Sequence, residues 1–403
     1  MKVPFVFAAL IVLLKSCQPV VAPPPVVPPI NPAVYAKDCE TIYQQELGRA
    51  PDLPGLIGCE AQMVQAKQAG APLPQEVFRA WVRTQPEWAQ HQESLKVVTL
   101  PQLRVRGQFF EQENGQRFTL IEASDFLLYQ RFLNGEDIRS VLKQRSDAGF
   151  NTLRVFGMVN GSLGRFLPFD YGDRYYSGLD GLSQLVARFG FYIEFTAFAD
   201  ATQAMPDRDQ QVAHWQRIVD TVRPLTNVVL EIGNELDQPI NQLISVAVLP
   251  QPKGVLASHG SNGSQAIPVM PYWDYLTFHT NGAPEHQRKV GHNCMELDSR
   301  PCSANENTRA PDQLTSTAQA FDAAAGAALL AAGSTFHSVN GRSSTLWNET
   351  ELVLAKAWVA GATSVPLSCQ DGAYRHRDDL ETPALLRVYQ RGSDPTCIVR
   401  IRR

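Results

Sequence analysis

From about residue 100 the chain alternates two hydrophobic patterns. Short apolar runs, Phe150-Asn-Thr-Leu-Arg-Val-Phe-Gly157, Phe191-Tyr-Ile-Glu-Phe-Thr-Ala-Phe198 and Asn227-Val-Val-Leu-Glu-Ile-Gly233, have the length and β-branched character of buried strands. Between them apolar positions recur at helical spacing: Ile138, Val141 and Leu142 up to Gly149; Leu179, Leu182, Leu185, Val186 and Phe189 up to Gly190; Val212, Trp215, Ile218, Val219 and Val222 up to Pro224. Strands alternating with helices that Gly or Pro terminates predict parallel βαβ units.

The same rhythm extends both ways. Arg104–Phe110 and Gln116–Glu122 read as a lead-in hairpin and a first strand. Gly254–Ser258, Tyr275–His279 and Arg300–Glu306 are short candidates for strands five to seven. An alanine-rich helix over Asp312–Ala332, a strand at Ser334–Ser338 and a helix over Glu349–Ala360 complete the count. The expectation is an α/β fold, a (β/α)8 barrel over residues 100–362. Runs at Ala384–Tyr389 and Cys397–Ile401 predict a short C-terminal antiparallel β extension over 363–403.

Upstream the period is helical throughout. Residues 33–95 predict a small helical module: Tyr35–Leu47, then Ile57–Ala69, then a helix carrying Val77, Phe78, Trp81 and Val82. Residues 18–32 are too rich in proline for helix or sheet and predict an extended spacer. Residues 1–17 combine Lys2, an apolar run from Val3 to Leu14, and Cys17, the pattern of an export signal. Leu14-Lys-Ser-Cys17 resembles a bacterial lipobox, which implies lipidation at Cys17, membrane attachment through it, and an outer-membrane or cell-surface location; ordinary cleavage to a periplasmic or secreted protein is the alternative.

Composition adds little to this picture except by exclusion. A formal charge of −4 without a basic stripe argues against nucleic acid as a partner. Setting Cys17 aside from seven cysteines leaves an even number in three local pairs, Cys39/Cys59, Cys294/Cys302 and Cys369/Cys397. Behind an export signal these are disulfide candidates. Metal-ligand spacings such as Cys-x-x-Cys or His-Glu-x-x-His are absent from the sequence, and neither a metal nor an organic cofactor is implied.

Candidate chemistry centres on Gly233-Asn-Glu235. A carboxylate at the carboxyl end of a buried strand is costly unless it is paired or used, and that end is where (β/α) barrels carry their sites. The Asn-Glu pair there resembles the acid/base signature of the retaining glycoside hydrolase clan that includes the cellulase-like families. The resemblance implies a carbohydrate substrate and two carboxyl groups about 5–5.5 Å apart. It implies Glu235 as acid/base and Glu306, ending strand seven, as nucleophile, with Glu296 as the rival. It implies supporting roles for Asn234 at the sugar 2-hydroxyl, Arg154 and His279 beside the nucleophile, and His337 where the clan often carries a Trp. Tyr171, in the aromatic-rich stretch Gly164–Tyr176, is a candidate for stacking on sugar, with packing of the long loop itself the equal alternative. The segment Tyr43…Leu47-Gly-Arg-Ala-Pro-Asp52 resembles a helical module of secreted bacterial proteins, which assigns no activity. A barrel that binds glycan or cell wall without turning it over is the alternative.

Overall fold

The computed structural model describes residues 30–87, 98–242, 249–260, 273–280, 300–306, 309–364, 374–375, 386–391 and 398–402. The export segment, Cys17, Cys294, Cys369, Cys397 and Glu296 fall outside them. The chain divides into two compact units, Met1–Val97 and Val98–Arg403.

The smaller unit has helices at Ala36–Leu47, Leu53–Gln68 and Pro74–Val82. Asp52 caps the second by accepting from the Gly55 N–H, and Gly48, at φ 67°, ends the first. A Cys39–Cys59 disulfide joins the first two helices inside a core of Ile42, Met63, Phe78 and Val82. Buried Glu46 accepts from Arg79 at 2.6 Å and Arg83 at 2.8 Å, tying the first helix to the third.

The larger unit holds eight parallel strands: β1 Leu120–Ser124, β2 Thr152–Phe156, β3 Tyr192–Phe198, β4 Val228–Gly233, β5 Ala257–Ser258, β6 Leu276–His279, β7 Cys302–Glu306 and β8 Gly333–Phe336. They pair in the order β5-β4-β3-β2-β1-β8-β7-β6. A parallel bridge from Ser258 to Tyr275, just before β6, closes the ring, and the Ser258 and Thr277 hydroxyls meet there at 3.3 Å. This is the expected (β/α)8 barrel.

Its outer face is apolar and packs on helices Arg139–Asp147, Asp173–Ala187, Arg208–Val222, Thr317–Leu330 and Glu349–Thr363. Two helices start later than their periodicity predicts. Asp137 accepts from the Arg139 N–H, and Ser316 from that of Gln319, so each side chain sets the first turn. Cys302 is disulfide-bonded.

The lead-in segment forms a three-stranded antiparallel sheet, Leu103–Arg106, Phe109–Gln112 and Arg117–Phe118. Leu103 and Phe110 pack with Leu120, Tyr192, Val229 and Tyr275 at the amino ends of the strands, flooring the barrel. At the far terminus Tyr374–Arg375, Leu386–Arg391 and Ile398–Arg402 form the expected antiparallel sheet.

Candidate active site

The open end of the barrel is its carboxyl end. β4 runs out at Gly233, the Asn234 N–H donates to the Phe198 carbonyl, and the chain turns at Glu235 with φ 42°. A non-glycine residue in the left-handed region carries strain, and such strain gathers at functional sites. The turn leaves Glu235 Oε1 3.4 Å from His279 Nδ1 at the end of β6.

Glu306 reaches the same place through a register shift. Phe278 pairs with Ala304, but His279 pairs with Glu306, so Asn305 is an extra residue in β7. Strict alternation puts Ser303 and Asn305 on the inner face and Glu306 on the outer one. The bulge bends the strand and re-aims Glu306 inward. Its Oε2 accepts from Arg154 at 2.9 Å and lies 3.7 Å from His279 Nε2, while Oε1 lies 3.8 Å from His337 Nε2. Donor atoms of Glu235, His279 and Glu306 all fall within 4.8 Å of one another. Among the described residues this is the one such cluster of metal-type ligands, but the Arg154 charge on Glu306 opposes a cation there.

Arg154 is fully buried and its donors are shared out. Nε and Nη2 go to Glu231 Oε2 at 3.1 and 2.7 Å, Nη2 also to Asn234 Oδ1 at 3.0 Å, and Nη1 to Glu306. One guanidinium therefore fixes the asparagine, the Glu306 carboxylate and a third residue beneath them. Burial alone would push the Glu306 carboxyl up; His279, His337 and Arg154 outweigh it and bring it down to about 2.

Beneath the mouth lies a layer that the motif reading passed over. Glu122 of β1, Glu194 of β3 and Glu231 of β4 are completely buried within the ring. Glu231 accepts from Thr196, Thr277 and Asn305 as well as from Arg154; burial works against its ionisation, but these partners keep its pKa low. Glu194 accepts from Tyr275 and Asn305 yet sits 3.6 Å from Arg154, and burial pushes it well above the usual carboxylate range. Glu122 accepts from Thr335 at 2.5 Å and is pushed up to about 7, chiefly by burial. The available signal was a glutamate inside an apolar strand, in Ile121-Glu-Ala123, Ile193-Glu-Phe195 and Leu230-Glu-Ile232.

The structure thus brings Glu235, Glu306, Asn234, Arg154, His279 and His337 together. It places Tyr171 differently: its ring packs edge-on against Phe166 at 5.6 Å and its hydroxyl donates to Asn134 at 2.7 Å. Phe166, Tyr175 and Tyr129 continue that cluster, so these rings pack the loop against the barrel wall.

No family model matches the chain, and no curated protein does. Solved structures do. A candidate glycoside hydrolase from Bacteroides vulgatus aligns with TM-score 0.55 and 15% identity over 73% of this chain and 66% of that one. A glycoside hydrolase family 5 structure from the same species gives 0.48 and 14% over 60% and 63%. An exo-β-1,4-mannosidase from an Opitutaceae bacterium gives 0.46 and 14% over 68% and 66%. The chain spans about two thirds of the length of these proteins. At such identities the likeness is one of fold.

Proposed function

We propose that the barrel is a retaining glycoside hydrolase acting on an oligo- or polysaccharide. The observation that carries this reading is the meeting of two glutamates from different strands at the carboxyl mouth. Their oxygens approach within 4.8 Å, and one of them is held ionised by Arg154. The description of the structural neighbour with TM-score 0.55 as a candidate glycoside hydrolase is consistent with it.

In the first step a Glu306 oxygen attacks the anomeric carbon, forming a glycosyl ester. The glycosidic bond breaks, and the leaving oxygen takes the Glu235 proton. In the second step Glu235, now a carboxylate, removes a proton from water, and the water oxygen attacks the anomeric carbon. The ester breaks, Glu306 is restored and Glu235 is reprotonated. Asn234, held by Arg154, offers its amide to the sugar 2-hydroxyl.

A polysaccharide panel with anomeric configuration followed by NMR tests the reading. Retention supports it; inversion overturns the mechanism. Glu235→Gln separates an enzyme, which loses turnover and keeps ligand, from a glycan-binding barrel, which has no turnover to lose. The same proposal places the protein outside the cytoplasm on a lipidated Cys17, supported by the leader and the proline-rich spacer. Cys17→Ser should then move the protein from the membrane to the soluble fraction.

A further inference from the structure

Ser124 ends β1 and His337 follows β8, and those strands are neighbours in the ring. Ser124 is fully buried, with its hydroxyl 3.1 Å from His337 Nδ1. His337, also buried, turns Nε2 to 3.8 Å from Glu306 Oε1. Its ring lies tilted on Phe126, centroids 5.4 Å apart, and Phe126 is stacked on Phe156. Arg154 holds the other Glu306 oxygen.

Serine, histidine and glutamate in a row suggest a hydrolase triad, but this serine is walled in. A Cβ at Gly341 would lie 2.4 Å from the Ser124 carbonyl oxygen, so the short helix Val339–Arg342 after β8 packs directly against the buried residue and no substrate carbonyl reaches it. What the row can do is fix a proton. An imidazole lone pair facing a carboxylate is repelled; an Nε2–H facing it is attracted. That tautomer needs Nδ1 to accept, and the Ser124 hydroxyl is the donor in reach.

We infer that Ser124 and His337 form a positioning pair for Glu306. Ser124 donates to Nδ1, the proton stays on Nε2, and Nε2–H steadies Oε1 while Arg154 steadies Oε2. The inference rests on the reading of Glu306 as nucleophile. Burial keeps the His337 pKa down at about 4 against the pull of Glu306; Arg342, Arg154 and His279 are the other charged or titratable groups acting on it. A neutral imidazole therefore does this work throughout the neutral range.

Imidazole ¹⁵N NMR on the full-length protein at pH 7 tests the geometry without any substrate, His337→Gln giving the assignment. His337 should be neutral with its proton on Nε2. Ser124→Ala should mix in the other tautomer, Ser124→Thr should preserve the first, and Glu306→Gln should move the Nε2 resonance. A proton on Nδ1, or a tautomer indifferent to Ser124→Ala, overturns the pair. On a glycoside that the wild type cleaves, His337→Phe should lower kcat about 100-fold with little change in KM. Ser124→Ala should lower it about 10-fold. The double variant should be no worse than His337→Phe alone. Additive losses, or Ser124→Thr as damaging as Ser124→Ala, overturn the pair while leaving the glycosidase reading standing. Intact NMR behaviour with no glycoside cleaved overturns that reading instead, and the positioning role with it.

Discussion

The barrel holds two sets of glutamates, one at its mouth and one in the layer beneath, and they differ in how their charge is managed. At the mouth Glu306 is partly open to solvent, 22% of its side chain exposed, and has Arg154 at 2.9 Å; its pKa is pulled down. In the layer Glu122 and Glu194 are sealed off and pushed up, although the same arginine acts on both. Glu231, equally sealed, stays low because Arg154 meets it with two N–H groups. Depth alone therefore does not set the charge. One guanidinium satisfies two carboxylates, and those it does not bond are pushed toward their protonated form.

The largest expected effect tests the mouth. Glu306→Gln should abolish turnover of any glycoside the wild type cleaves, and Glu235→Gln should lower it by about 10²–10⁴-fold. Substrate binding should survive in both. If either variant keeps wild-type kcat, the two sets are not functionally distinct.

A large effect should also follow from removing the shared cation. Arg154→Met leaves Glu231 and Glu306 without their partner, which typically costs about 3–5 kcal/mol. Urea unfolding measures that loss. Glu194→Gln is its counterpart, since it exchanges a carboxyl that burial pushes toward its protonated form for an amide of the same shape: the amide oxygen still accepts from Asn305, and the Tyr275 hydroxyl can turn to the Leu230 carbonyl and accept from the amide nitrogen. It should cost about 1 kcal/mol or less. Equal losses in the two variants would erase the distinction drawn between bonded and unbonded carboxylates.

Much of this was legible in the sequence, for reasons the residues make plain. The strand at Val228–Gly233 and the helices closed by Gly149 (φ 95°) and Gly190 (φ 81°) follow from local patterns that need no tertiary knowledge. Glu306 was visible because it ends a strand, and Glu235 because it follows one in the Asn-Glu pair. Three features were not visible. The bulge at Asn305 depends on pairing between β6 and β7, and alternation alone sends Glu306 outward. Tyr171 reads equally well as a stacking ring or a packing ring until Phe166 and Asn134 are found against it. The Ser124–His337 contact joins residues 213 positions apart, and only ring closure brings them together.

The smallest expected effect concerns Glu122. Its folded pKa, about 7, lies above the ordinary 4.5, so the native state binds this proton more tightly than the unfolded chain does. The stability this contributes is complete below about pH 4.5 and is lost as pH rises through 7. The stability of wild-type protein relative to Glu122→Gln should accordingly fall between pH 5.5 and pH 8, by on the order of 2 kcal/mol; buried His214, His259 and His337, whose pKa values burial pulls down, work the other way in both proteins and cancel from the comparison. Glu122 Oε1 is buried without a hydrogen-bond partner, a position that a neutral carboxyl tolerates better than a charged one. Glu122→Gln keeps the shape and the acceptor for Thr335 while removing the titration, so urea unfolding of both proteins at the two pH values isolates it. Glu306 titrates far below this window and cannot mimic the effect. A wild-type-to-variant difference that is the same at both pH values would move the titration to another group, with Glu194 the first to test.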